Sequence, residues 1–545
     1  MRQRAHGRFA VLATVLVMVT TVATLGTSAS ASSTTARHAA KGGGILRYGL
    51  EAETQGLNPT VDRWAVSGYA MGQAVFDPLF RRGDDGTFHP YLLESATPSS
   101  DFTYWDLKVR PNVKFHDGTP LNAQAIKTNL EASLADPLIG LAIRDFFPAT
   151  NQFEVLDDST LRVHMAGPDA HLPQYLVAQI GYIASPKWLA AAKANPDLNQ
   201  EPVGTGPFVF SKRVQDSSTT FVRNDHYWQG KVKLAGIQFV IQPDSARRAD
   251  QLLSGAIDVM HTSDPSTIKE LRGEDVQRFE QDKGEEAFIM LNTQQPPFDD
   301  IRARKALAAA TPRKNYLKIL GQGVVKAADS MFHPALPYHN PAVHQLVDKP
   351  ALAIKLAKEY CADHPENCEG DKIKFLYKYT SPSVVLEQTA DVLIDGWKSA
   401  FVVDRGQELQ DDYILHVATG QYQAVLWRQW GSDDPDGDFT WMDCRHVGKP
   451  GALSITWTRF CDDKVQALGL EQRASDNMAL QVKDWKKITA LLNKDFIYIF
   501  LIHDDWLIAA NKNVHNVIKV KLPDGKASTV EGNGSHSMWQ MSLSG

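Results

Sequence analysis

Residues 372–403 read KIKFLYKYTSPSVVLEQTADVLIDGWKSAFVV. Lys372 to Tyr377 alternate in polarity, as a strand with one buried face does. Over 384–398, Leu386, Ala390, Leu393 and Trp397 share one helical face, and Phe401-Val402-Val403 starts a second strand. A strand–helix–strand order favours a parallel pair with a right-handed crossover. The fold class is therefore α/β.

Outward from this unit, a long amphipathic helix is predicted over about 476–494, followed by a strand from Tyr498 to Leu501. Upstream, Ile45 to Tyr48 reads as the first strand, after a Ser/Thr/Ala/Gly-rich spacer over 32–44. Residues 103–115 alternate about Arg110-Pro111-Asn112, a hairpin signal. Thr119-Pro120 then opens a helix with Ile126, Leu130 and Leu134 at four-residue spacing. A helix from about 246 ends at Gly255 and runs into a strand at Ile257 to Met260. No fixed-period repeat is present.

The chain has 545 residues, 43% hydrophobic and 22% charged, with Lys+Arg 57 against Asp+Glu 63 and a net charge of −6. Such a length suggests about three structural units. The charge balance lacks the basic excess of a phosphate-backbone binder, so no nucleic-acid partner is expected. Arg2, Arg4 and Arg8 precede an apolar stretch from Phe9 to Leu25, and Ala29-Ser30-Ala31 supplies small residues at a cleavage site. That is the pattern of a secretory signal over 1–31, with a membrane anchor as the alternative. Its removal would leave a net charge of −9.

An exported chain meets an oxidising compartment, and the four cysteines, Cys361, Cys368, Cys444 and Cys461, fit two disulfides. Three connectivities exist. Nearest-neighbour pairing, 361 with 368 and 444 with 461, closes two short loops and is preferred. A four-thiolate zinc site lacks its usual Cys-x(2–4)-Cys spacing.

Signatures of catalysis are missing: no Gly-x-Ser-x-Gly, no His-Glu-x-x-His and no phosphate-binding glycine loop occurs. His333, His339 and His344 have metal-compatible spacing, but prolines interrupt them. The run Asp433, Asp434, Asp436 and Asp438 could act as paired carboxylates, hold calcium, or form a solvated turn. Counted from Asp434 as a calcium loop, Phe439 stands where Gly is needed and Arg445 where Glu is needed. No metal or cofactor is called for, and no enzyme.

Six segments carry a family resemblance. They are Trp105-Asp106-Leu107-Lys108-Val109-Arg110 through Lys114-Phe115-His116-Asp117-Gly118-Thr119-Pro120-Leu121-Asn122-Ala123; Pro202 to Phe208; Arg223-Asn224 with Tyr227-Trp228 and Gly230; Gly255-Ala256-Ile257-Asp258; Leu291-Asn292-Thr293 with Pro297 to Asp300 and Arg302 to Leu307; and Trp427 to Asp436. In this order they resemble the extracytoplasmic solute-binding proteins of ATP-binding cassette importers, in the oligopeptide/dipeptide/nickel-binding class (family 5). Two departures stand out. Thr311-Pro312-Arg313 replaces the family's usual Asp-Arg, so Pro312 should end its helix early. The lipidated Cys common in single-membrane bacteria is missing, so no lipid anchor is evident.

The resemblance implies a two-lobed periplasmic-binding-protein clamp of the large three-domain type. Domain I would comprise 45–75, 200–285 and 495–545, domain II 76–199 and domain III 286–494. It implies a monomeric receptor in the periplasm or cell envelope that captures peptides by hinge closure. Its partner would be a membrane permease. In relatives the Asp after Trp accepts the peptide's ammonium group; here that is Asp433, with Trp430 lining the adjacent pocket and Asp434 one residue away. Trp427 and Arg428 precede them, and Arg428 could pair with a ligand carboxylate or a neighbouring acid. Tyr422 and Trp441 flank this strand, and Trp64 and Tyr69 lie where relatives line the cleft. Cys444 and Cys461 match a disulfide of dipeptide-binding relatives. The same fold binding a nickel chelate, an oligosaccharide, haem or a lipid-like solute is the alternative, ahead of a secreted hydrolase.

Overall fold

The structure is a computed structural model that describes residues 43–544, except 138, 141, 142, 382, 430–433 and 531–533. The expected signal segment and most of the spacer lie outside the described residues.

Twelve strands form the main sheet. Its path runs from Cys368–Glu369 through Lys372–Thr380, Ala424–Gln429, Gln277–Leu291, Tyr498–Ala510, Val259–Thr262, Ile45–Leu50, Gly236–Ile241 and Ser218–Arg223 to Phe208–Val214. Phe401–Glu408 and Lys326–Ala327 pair off this path. A separate four-stranded sheet holds Leu93–Pro98, Tyr104–Val109, Thr160–His164 and Phe153–Asp157. Two long strands at the centre of the large sheet, of 15 and 13 residues, pair antiparallel from Gln277 opposite Ala510 to Met290 opposite Tyr498. At about 3.3 Å per residue they are about 50 and about 43 Å long, enough to support one set of elements at either end.

The quoted stretch folds as its periodicity predicts. Lys372–Thr380 pairs parallel with Phe401–Glu408, joined by the helix Val384–Trp397. Ser383 caps that helix by accepting from the amide of Leu386. Trp397 is fully buried against Phe375 and Tyr377, and its Nε1 donates to Thr311 Oγ1 at 3.0 Å. Pro312 does end a helix: Ile301–Ala310 stops before it and Arg313–Ile319 starts after it. Both disulfides form by nearest-neighbour pairing, Cys361 with Cys368 and Cys444 with Cys461.

Two expectations need correction. No hairpin forms about Arg110-Pro111-Asn112; Tyr104–Val109 pairs instead with Leu93–Pro98 and Thr160–His164. Val113 and Phe115 turn into the same core as Leu107, while Lys114 bridges Pro120. Burying two apolar side chains outweighs a local ladder that would leave them half exposed. The strand beginning at Tyr498 continues to Ala510, because its buried His503, Asp504 and Asp505 find partners on neighbouring elements, Glu286, Arg428 and Arg272.

Trp397→Ala removes a fully buried indole and orphans Thr311 Oγ1 as an acceptor. A loss of about 3–5 kcal/mol is expected in equilibrium denaturant unfolding; a loss below about 1 kcal/mol would contradict this packing.

Candidate functional site

Ala424–Gln429 pairs along its whole length with Gln277–Leu291, from Leu291 opposite Ala424 to Glu286 opposite Gln429. Its other edge meets Lys372–Thr380 only at Ala424 and Val425. From Leu426 onward that edge is outside any ladder among the described residues, although the Tyr413 hydroxyl donates to the Leu426 carbonyl. Alternation along the strand sends Trp427 and Arg428 to opposite faces.

On one face is an aromatic wall. Trp427 stacks on Tyr413 at 5.5 Å and meets Trp457 edge-on at 4.6 Å, while Trp441 lies 4.4 Å from Trp457. The three indoles are half-buried. On the other face Arg428 reaches Glu285 at 3.1 Å, Asp504 at 3.4 Å and Ser263 Oγ at 3.2 Å, with its guanidinium 5.0 Å from the Trp506 ring. Burial works against its charge, but Glu285, Asp504 and Glu51 outweigh that and hold its proton firmly. Asp504 is pushed up to about 6 by burial, with Arg428 opposing the rise. Of the two partners left open by the sequence, Arg428 takes the neighbouring acids.

Trp430 and Asp433 lie outside the described residues. Beyond them the acidic run is not a solvated turn: Asp436 and Asp438 are buried. Asp434 Oδ2 lies 2.6 Å from His171 Nδ1. Both oxygens of Asp436 meet Arg473 Nε, at 3.1 and 3.0 Å. Asp438 has its carboxyl pushed up by burial and by Asp434 and Asp436. Tyr422 is core, its hydroxyl donating to the Trp457 carbonyl at 2.7 Å. Trp64 packs among Phe76, Tyr69 and Tyr182.

The three spaced histidines diverge. His333 is buried with its ring 5.0 Å from that of His503, His339 bonds the Phe332 carbonyl, and His344 is exposed beside Asp329. No group of three His, Cys, Asp or Glu stands together as metal ligands among the described residues.

Sequence reading missed Glu285, Asp504, Ser263, Trp457 and His171. The charged triplet His503-Asp504-Asp505 inside an otherwise apolar run was the available signal for Asp504. His171 offered none, since its partner is 263 positions away.

The model of the bacterial extracellular solute-binding proteins, family 5, matches residues 87–449. The chain belongs to that family. Heme-binding protein A of Haemophilus influenzae is 25% identical over 506 residues, covering 87% of this chain and 90% of the relative. Di/tripeptide-binding protein 2 of Pseudomonas aeruginosa is 24% identical over 498 residues, covering 85% and 90%. Among solved structures, the periplasmic binding protein DppA of Helicobacter pylori in complex with the peptide STSA superposes with a TM-score of 0.79 at 19% identity. It covers 92% of this chain and 98% of that one. The shared fold is the two-lobed α/β architecture of family 5 receptors, whose members are extracytoplasmic substrate-binding components of importers.

Removing the guanidinium of Arg428 removes what holds Asp504 down. In Arg428→Met the Asp504 carboxyl should titrate above about 6, read by carbon NMR of labelled aspartate; an unchanged midpoint would contradict the pairing.

Proposed function

We propose that this receptor captures short peptides in a cleft between its lobes and delivers them to a membrane permease, without catalysing a reaction. One lobe would hold domains I (45–75, 200–285, 495–545) and II (76–199), the other domain III (286–494). The observation that carries the reading is the edge of Ala424–Gln429, outside any ladder from Leu426 onward among the described residues and followed in sequence by 430–433. An extended peptide binds such an edge through its main chain, while pockets take alternate side chains. Asp433 then receives the α-ammonium group by a charge-assisted bond, Trp430 and Trp427 line side-chain pockets, and Asp434 braces the loop through His171. Relatives that bind di- and tripeptides support this.

The aromatic wall of Tyr413, Trp427, Trp441 and Trp457 favours a second reading, a flat apolar solute, as does the haem-binding relative. Native mass spectrometry of the purified protein, followed by mild denaturation, separates the two. Peptides of narrow length are expected; a porphyrin or metal chelate would overturn the peptide assignment. Asp433→Ala should lose the peptides, with a cost of about 2–5 kcal/mol in titration calorimetry.

A further inference from the structure

Residues 144–177 and 434–481 meet through polar side chains. His171 Nδ1 lies 2.6 Å from Asp434, and in the reverse sense His446 Nε2 lies 2.5 Å from Asp145. The Tyr175 hydroxyl touches both Asp169, at 2.8 Å, and Asp436. The amide of Ala170 donates to the Arg473 carbonyl at 2.9 Å, and the Arg473 guanidinium lies 5.0 Å from the Phe146 ring. Among the described residues no apolar cluster joins these two regions. The core around Leu107 and Leu161 draws on 79–183 with Trp228, and the core around Phe288 and Trp485 draws on 288–500. Residues 182–192, by contrast, share a core with Tyr48, Phe239 and Ile508. The 144–177 contact is thus made by polar groups between two separate cores, with the Arg473 guanidinium between Phe146 of one and Phe439 of the other.

We propose that this contact is a latch made only in the closed clamp, with His171 as its positioning residue, so that solute capture takes up a proton. The proposal rests on the two-lobed receptor reading above. Both ring nitrogens of His171 face acceptors: Asp434 at Nδ1, and the Gln472 carbonyl 3.3 Å from Nε2. A carboxylate and a carbonyl only accept, so a ring carrying two N–H groups serves both, whereas the Gln481 amide, 3.5 Å from Nε2, is the one donor facing it. The groups facing it are Asp169 and Tyr175 from its own segment, Asp434 and Asp436 from the acidic run, and Arg473 with Gln472 and Gln481 from the third element. Burial alone would lower its pKa, but Asp434, Asp436 and Asp169 outweigh it and push it up to about 10. The Tyr175 hydroxyl has one proton for two carboxylates, and it draws Asp169 and Asp436 together beside the ring. Burial and Asp436 push Asp169 up to about 6, below the window in which His171 titrates.

When the lobes part, His171 loses Asp434 and returns toward its ordinary value of about 6.5. The closed state therefore binds a proton that the open state releases between about 6.5 and about 10. Its advantage is complete below that window and is lost as pH rises through it. Affinity should fall by up to about tenfold per pH unit within the window.

Two experiments test this independently. A Cβ on Gly437 would lie 3.5 Å from Gln174 Cγ, so Gln174→Cys with Gly437→Cys locks the contact without any solute. In the locked protein the His171 ring, followed by imidazole carbon NMR, should stay charged above pH 8. A midpoint near 6.5, or a cysteine pair that does not oxidise, overturns the latch. In calorimetry with trialanine as probe, buffers of different ionisation enthalpy should report uptake approaching one proton per peptide at pH 8. His171→Gln and Asp434→Asn should each abolish that uptake; peptide bound without uptake, or uptake unchanged in a folded variant, overturns the proposal. If trialanine does not bind at all, the peptide assignment fails while the locked protein still decides the latch.

Discussion

The backbone ladder between Gln277–Leu291 and Tyr498–Ala510 is the constraint on which the molecule depends. Everything from Val259–Thr262 to Phe208–Val214 hangs on one side of it, and everything from Ala424–Gln429 to Cys368–Glu369 on the other. Its register is interrupted between Gln281 and Glu285. Beside the interruption is a cavity of about 160 Å³ lined by Arg272, Glu280, Asp282, Lys326, His503 and Asp505 among others. A strand pair bends most readily where its ladder is broken and its packing is loose. The two sides are thus held together by main-chain bonds on either side of the interruption.

The segments that carry the family resemblance hold the scaffold more than the solute. Thr205, Tyr227 and Trp228, from two different blocks, all donate to the buried carboxylate of Asp77, at 3.0, 3.0 and 2.9 Å. Asp258, from a third, takes the Arg47 guanidinium at 2.8 Å and ties two strands of the large sheet. At Gly204 and Gly206 an added Cβ would fall 2.2 Å from the Val75 oxygen and 2.5 Å from its carbon; only glycine lets these backbones approach so closely. Family membership was legible for this reason: the residue types are dictated by fixed, solute-independent geometry.

What could be read from sequence depended on how far apart the partners are. The unit over 372–403 was legible because its helical face and both strands are periodic within thirty residues. The false hairpin at 110–112 arose because the true partners of Tyr104–Val109 are Leu93–Pro98 and Thr160–His164, one of them fifty residues downstream. In the site, Trp427 and Arg428 stood out by type and position, yet the acids that hold Arg428 come from 285 and 504. The expected strand stopped at Leu501, short of the charged triplet His503-Asp504-Asp505 that lies in the strand's middle.

The proposed function requires one motion: two lobes, joined by the central strand pair, closing over a solute. Small-angle scattering measures it directly on protein stripped of bound solute by mild denaturation, refolded, and then given that solute back. A smaller radius of gyration on re-addition is the predicted result. An unchanged radius with solute demonstrably bound would contradict the clamp.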